Sequence, residues 1–408
     1  SDFECQIGAA EVGAREVRAL LDAFGPDQVQ AAIDHFLLAS RQHMEAELRK
    51  IPDGTYTAER HIDDGGAYHR EPVAFRLDLV KRDGEVTLDF RRSDPQVVGY
   101  ANSTLANTIA SSLIGIFGTV DPTLRRNSGS IAPIRVLTTP GTIAHAVEPA
   151  ATTLCTLSAC EAIIDSIWLA LGTAAPEISN AGWCHSWSFG VSGRSERTGQ
   201  PFAAFAFTGG GSGATAGYDG WDSIGTPVTM GGMRAADVEI HERGAPCTVI
   251  RHEYEIDSGG AGEWRGGLGS VTFWRVDQDD LRVVCYGSGG IEASAPFGLE
   301  GGAAARPSWA RIHYADGRAE PVLINPIVQL NRGDAVEIHT AGGGGFGDPR
   351  RRDALEVAGD VRNGVVSEAA ARDLYGVVLR PGSSELDLDA TTRRRNQHAG
   401  VLREAVPA

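Results

Sequence analysis

Cysteine is scarce and unpatterned in this 408-residue chain. The six residues at 5, 155, 160, 184, 247 and 285 form no Cys-x-x-Cys pair and no His-paired zinc spacing. That excludes a sequence-readable zinc module and points to reduced, mostly buried thiols in a cytoplasmic protein. Cys155 and Cys160 are five apart, on different faces of a helix, and make no pair. No apolar run approaches a membrane span; the longest, near 163–171, carries Asp165 and fits a buried helix. Basic excess is also absent. A net charge of −16 removes the footprint that nucleic acid or an anionic membrane needs. Residues 1–13 are polar and acidic and show no secretory leader. No internal repeat is visible, and no Gly-x-Ser-x-Gly elbow has the right spacing. There is no Gly-x-x-x-x-Gly-Lys, and no glycine-rich loop holds a lysine for phosphates.

Glycine is what the chain has in excess, at 51 residues without a collagen-like period. It concentrates in three segments. The densest is Asp257-Ser-Gly-Gly-Ala-Gly-Glu-Trp-Arg-Gly-Gly-Leu-Gly269. The others are Thr208-Gly-Gly-Gly-Ser-Gly-Ala-Thr-Ala-Gly-Tyr-Asp-Gly220 and Ala341-Gly-Gly-Gly-Gly-Phe-Gly-Asp-Pro349. Each glycine marks positive φ or close approach of another backbone or a ligand, which suggests a site built on shaped backbone.

Periodicity organises the rest. Residues 8–49 read as a helical hairpin broken at Gly25-Pro26. From 54 to 90 the period becomes two, with Arg82-Asp-Gly84 as a turn. Helices follow at about 103–117 and 157–172, with a strand at 134–137. Strands are expected at 202–207, 248–256, 271–276, 282–286, 308–314 and 335–339, then a helical tail with a polar end. The sum is α+β: an N-terminal helical hairpin (1–50), a mixed α/β lobe (51–199), a β-rich glycine-loop lobe (200–349) and a helical tail (350–408).

Read in order, these segments resemble the hydantoinase B/oxoprolinase family, which includes the α-type subunits of acetone and acetophenone carboxylases. The matching text is Pro52-Asp-Gly-Thr-Tyr56, Asp89-Phe90, Asp94-Pro-Gln96, Gly99 and Asn102, then Asn127-Ser-Gly129 and Pro133-Ile134. It continues through 209–213, Asp219-Gly220, Glu239, Glu242 and Pro246, then 257–269, Gly289-Gly290, Pro296-Phe-Gly298 and 341–349. The resemblance implies a subunit acting with an ATP-binding hydantoinase A-type partner, which binds ATP and Mg. Such enzymes hydrolyse small cyclic amides through a phosphorylated intermediate, or carboxylate ketones; a non-catalytic scaffold is a third reading. Family members usually carry an N-terminal portion with Gly-Gly-x-His-x-Pro-Asp and His-His-x-Asp-x-Gly-Gly, which supply divalent-metal ligands in the carboxylases. This chain begins after that region, so the resemblance implies a C-terminal piece whose metal half comes from a separate chain, with no metal held here.

The candidate residues each have two readings. Asp219, before Gly220, is a carboxylate presented as a base, or an Asx-turn. Asp257 and Arg265 are catalytic candidates of the densest loop, Arg265 as a bidentate clamp on a carboxylate or phosphoryl oxygen, or the two are a tie between turns of one loop. Asn102 and Asn127 stand on family motif positions as substrate-positioning amides, and equally as a helix cap and a turn residue. His185, between Trp183 and Trp187, is a pocket donor, although it replaces the amide side chains usual there. Glu239 and Glu242 are paired carboxylates for substrate binding; on a strand they would face opposite sides. His61, Asp63, Asp64 and His69 look like a metal set but align with a strand-turn of the family.

Overall fold

Gly25-Pro26 divides the N-terminal helical stretch as expected. The computed structural model describes residues 2–404 except 67, 68, 235 and 323. In it α1 (Asp2–Phe24) stops at Gly25, whose φ of 77° ends the helix, and α2 (Pro26–Leu48) starts on the proline. Proline suits that position because its missing N–H has no helical acceptor there. α1 begins at Asp2 rather than at 8 and buries none of its residues, while α2 buries Ser40, Met44 and Leu48.

The remaining elements run β1 (Gly54–Ile62), β2 (Val73–Arg82), β3 (Glu85–Asp89), α3 (Leu105–Phe117), α4 (Ser128–Ile131) and β4 (Ile134–Leu137). A π-helical turn, Cys155–Ala159, leads into α5 (Cys160–Ala174). Then come β5 (Trp187–Arg194), β6 (Pro201–Thr208), α6 (Val238–Gly244), β7 (Cys247–Tyr254), β8 (Ser270–Val276) and β9 (Leu281–Gly287). β10 (Trp309–His313), β11 (Ala319–Pro321), β12 (Ile327–Leu330) and β13 (Ala335–His339) complete the strands. The tail is α7 (Ala354–Arg362), α8 (Glu368–Asp373) and α9 (Leu388–Glu404). The α+β class and the strand-rich second half are as expected.

The chain groups into two compact units. One comprises residues 1–54, 81–87 and 120–135, and the other the rest of the chain. In the first, α2 packs against α4, so closely that a Cβ on Gly129 would stand 2.0 Å from the Leu37 carbonyl oxygen. Strands β1 to β4 form one sheet in that order, with Asp83 at φ 48° in the expected β2–β3 turn.

Two further sheets, ordered β11-β10-β13-β8-β7 and β12-β9-β5-β6, share one apolar core in the second unit. Phe189 of β5 stacks on Trp274 of β8 with ring centroids 5.5 Å apart, and Val283, Cys285, Val336 and Ile338 fill in around them. Each such fully buried side chain contributes roughly 1.5–3 kcal/mol. β5 reads as a loop from sequence because Ser188, Gly190, Ser192 and Gly193 dilute it, yet Trp187, Phe189 and Val191 keep the period of two and point inward. β6 and β7 are sheet edges.

Among the described residues, one helical run, Cys155–Ala174, is long and apolar enough to cross a bilayer, and 78% of its apolar window is buried in this chain. Of the six thiols, Cys160, Cys184, Cys247 and Cys285 are buried, and burial pushes each up to about 12.

Candidate functional site

The three glycine-rich segments meet one another in the second unit. Gly343 N donates to Gly267 O at 2.9 Å, Gly260 N to Gly343 O at 2.8 Å, Gly267 N to Ser212 O at 2.9 Å, and Gly211 N to Ala341 O at 3.1 Å. Backbone touches backbone throughout. A Cβ on Gly343 would stand 1.8 Å from Ser212 O, and one on Gly266 would stand 1.8 Å from Gly343 O. These glycines are therefore required by close approach of backbone to backbone. Many of their amides, among them Gly211, Gly260, Gly266, Gly267, Gly343, Gly344 and Gly345, already donate to carbonyls, which makes the segments a poor cradle for the phosphates of a nucleotide.

An ionic cluster fastens this seam. Both carboxylate oxygens of Asp219 accept from Arg352, at 2.6 and 2.7 Å, and Oδ1 also accepts from Arg265 N at 2.8 Å. The Arg265 guanidinium donates to Asp222 Oδ1 at 3.0 Å and lies 3.6 Å from Asp360 and 4.0 Å from Asp219. Arg352 also reaches Asp360 Oδ2 at 3.0 Å. Burial alone would lower the Arg265 value, but Asp222, Asp360 and Asp219 outweigh it and keep the cation charged. Burial raises the Asp360 carboxyl, against the pull of Arg352 and Arg265. Asp257 stands apart from these charges. It takes φ 61°, and its Oδ1 accepts from Ser367 N at 2.8 Å, holding the start of α8. Asp257 and Arg265 do line one small cavity of about 20 Å³, too small for a substrate. The proposed tie between Asp257 and Arg265 is thus two ties, each reaching the tail. Arg352, Asp222 and Asp360 were missed because no local pattern links 219 to 352.

A second charged group is fully enclosed. His185 Nε2 lies 3.0 Å from Asp165 Oδ2, and Arg60 reaches the same oxygen at 3.3 Å. Glu161 accepts from Ser186 N at 3.0 and 2.9 Å and from the Ser186 hydroxyl. Trp183 and Trp187 flank a packed imidazole rather than an open pocket, since His185 is buried. Its Nδ1, with Asp165 Oδ1 and Arg60 Nε, has no partner among the described residues. The signal for this group was readable: Glu161 and Asp165 are four apart in an apolar helix and so share a face.

Burial pulls the His185 imidazolium down, but Asp165 and then Glu161 outweigh it, holding the group above its ordinary value. Burial pushes Glu161 up, against His185 and Ser186. Both raised values have the same sign in linkage, because the folded state binds more protons than the unfolded one. For His185 the stabilisation is complete below the ordinary histidine value of about 6.5 and is lost as pH rises through its raised value, whereas for Glu161 the loss begins above the ordinary glutamate value of about 4.3. Urea unfolding from about pH 6 to about pH 9 should show falling stability, with a flatter profile in His185→Gln. Equal slopes in the two proteins would refute the assignment.

The other candidates lie elsewhere. Asn102 is buried with its amide fully used: Oδ1 accepts from Val97 N at 2.8 Å, and Nδ2 donates to Val97 O, Gly99 O and Ala151 O. It is not a helix cap; Thr104 caps α3. Asn127 caps α4 in a capping box and donates to Ser40 Oγ at 2.8 Å. Glu239 and Glu242 sit on helix α6, not a strand, so three-residue spacing puts them side by side. Both are exposed, and Glu242 accepts from Val249 N at 3.0 Å. Asp63 accepts from Gly289 N and Gly290 N at 2.9 and 2.8 Å, which leaves it a turn-holding carboxylate.

The profile of the Hydantoinase B/oxoprolinase family matches residues 1–349. The chain belongs to this family. The β subunit of caprolactamase from Pseudomonas jessenii is 33% identical over 406 residues, covering 97% of this chain and 69% of that one. A putative D-/L-hydantoinase B-type subunit from Pseudomonas sp. (strain NS671) is 28% identical over 415 residues, covering 97% and 67%. The crystal structure of ATP-dependent caprolactamase from P. jessenii superposes with a TM-score of 0.84 at 31% identity, over 97% of this chain and 69% of the other. Nucleotide-free acetone carboxylase shares the fold with a TM-score of 0.78 at 22% identity, over 90% and 55%. This member of the hydantoinase B/oxoprolinase family is thus an enzyme chain, and its clamp residue Arg352 lies just beyond the matched stretch.

One group among the described residues of this family member brings three metal-binding side chains within 4.8 Å: His43, Glu47 and Asp121 in the first unit. Glu47 already accepts from Lys50 Nζ at 2.6 Å, and Asp121 from Thr123 N and Oγ1 at 2.8 and 2.7 Å. A divalent ion would have to displace those donors, so the group fits a dedicated metal site poorly.

Proposed function

We propose that this chain is a subunit of an ATP-dependent hydantoinase/oxoprolinase-like enzyme that hydrolyses a small cyclic amide through a phosphorylated intermediate. The observation that carries the reading is the match along 97% of the chain to the β subunit of caprolactamase, at 33% identity. In this reading the partner is an ATP-binding hydantoinase A-type chain holding ATP and Mg; many amides of the glycine-rich segments here already donate to carbonyls, which is consistent with the nucleotide being held on that partner. A divalent metal, in this reading, is held by a separate chain. The setting is the cytoplasm. Asp219, Asp257 and Arg265, first read as catalytic, act in this proposal as the frame that holds the site's walls, since all three are engaged in the seam and tail.

Phosphorylation makes a resonance-stabilised amide a better electrophile, which is what ATP contributes. The test is ring opening of caprolactam, hydantoin and 5-oxoproline by the chain reconstituted with its co-purifying partners, followed as product and as ADP. ADP formation coupled to a ring-opened product without added carbon is the expected result. A product carrying one carbon from bicarbonate, formed from acetone, would replace hydrolysis with carboxylation. Full activity of the partners without this chain would reduce it to a scaffold.

A further inference from the structure

The edge of the two-sheet core carries a cavity that none of the functional residues above explains. It has a volume of about 320 Å³ and lies between the edge strands β6 and β7, with α6 beside it. Phe205 and Phe207 of β6, with Ile224 and Met233, give it an apolar wall. Arg234, His241 of α6 and His252 of β7 supply its polar side. Among the described residues not one aspartate or glutamate lines it, in a chain with 53 of them.

That exclusion of acid sets the cavity apart from the larger cleft of about 500 Å³ on the same unit. There Glu196, Glu242 and Asp277 share the wall with Arg332, and Arg332 is engaged by Glu196 at 2.7 Å and by the Asp277 carbonyl. Arg234, by contrast, has no ion-pair or hydrogen-bond partner among the described residues. His241 rests edge-on against Trp274, with ring centroids 5.4 Å apart, and burial, then His252, lowers its value, so it faces the cavity as a neutral donor or acceptor. His252 is tethered through Nδ1 to Thr272 Oγ1 at 3.0 Å.

We propose that this cavity binds a small organic carboxylate with an apolar body. The planar guanidinium of Arg234 matches a carboxylate in two parallel hydrogen bonds, and the aromatic and aliphatic wall takes the body. A zwitterion is disfavoured, because nothing acidic in the wall balances an ammonium group. The ligand is therefore not the ring-opened amino acid of the proposed reaction, and the site stands or falls independently of that reaction.

Isothermal titration calorimetry of the full chain with hexanoate, hexanamide, 6-aminohexanoate and inorganic phosphate tests this. Hexanoate should saturate one site, with the other three at least about ten-fold weaker, which is the effect of one charge-assisted hydrogen-bonded pair. Arg234→Met should remove the preference for hexanoate over hexanamide. Phe205→Ser should weaken hexanoate and leave that preference in place. Both positions are solvent-exposed, Phe205 at 65%, so neither change threatens the fold. Equal binding of hexanoate and hexanamide, undiminished hexanoate binding by Arg234→Met, or saturation by none of the probes would each overturn the assignment.

Discussion

Replacing Gly343 by alanine should leave almost no folded second unit. The added methyl carbon would sit 1.8 Å from the Ser212 carbonyl oxygen and 2.5 Å from Gly213 N, against backbone on the neighbouring segment. A side chain can rotate away from such a clash; a main chain held by the Gly343–Gly267 and Gly260–Gly343 hydrogen bonds cannot. Ordinary overpacking costs about 1–3 kcal/mol, and this clash should exceed about 3 kcal/mol. Gly244→Ala is the control, because nothing lies within 4 Å of its Cβ position. That variant should stay within about 1 kcal/mol of the parent. Circular dichroism melts and soluble yield of the two variants give the answer; similar melts would show that the seam can open at little cost.

Arg352→Met should destabilise the same unit by about 2–4 kcal/mol. Removing one member of a buried ion pair costs about 3–5 kcal/mol, and the lower figure discounts for Asp219, whose side chain is 31% exposed. The loss is asymmetric: Arg352 is 3% exposed and serves two carboxylates, so its removal leaves Asp219 and Asp360 near each other with only Arg265 between them. Asp360→Asn in the Arg352→Met background should recover part of the loss, since it removes one of those uncompensated charges. Arg350→Met, on the same tail turn, should have little effect. Urea titrations of the four proteins separate a clamp from a surface ion pair, which would shift by less than about 1 kcal/mol.

Much of the fold was legible in the sequence because apolar residues recur at the period of their element. The Asp83-Gly84 turn, the break at Gly25-Pro26 and the buried helix around Asp165 all have local causes. β5 and α6 were misjudged for opposite reasons. β5 is diluted by serine and glycine, whereas α6 is seven mostly exposed residues with no apolar face of its own. The site was less legible. Asp219 and Arg265 do share one cluster, but the residue that fixes their role is Arg352, and a pairing across 133 residues leaves no trace in local spacing. The glycines were noticed for the right physical alternatives, positive φ or close approach. Which of the two applied, and to what neighbour, depended on segments far apart in the chain.

The seam also dictates an order of events during synthesis. Its strands of glycine come from residues near 211, 266 and 343, and its fastening cation from 352, so the segments that close it follow the first two in synthesis. Until then the first two segments can pair with each other, as at Gly267 N to Ser212 O and Gly220 N to Arg265 O, but the groups that face 341–347 lack their mates. Long-range closure of this kind is slow, because loop entropy is lost before any contact rewards it. The nascent second unit therefore stays incomplete until residues 341–352 arrive, and its open backbone is exposed to misassembly in the interval.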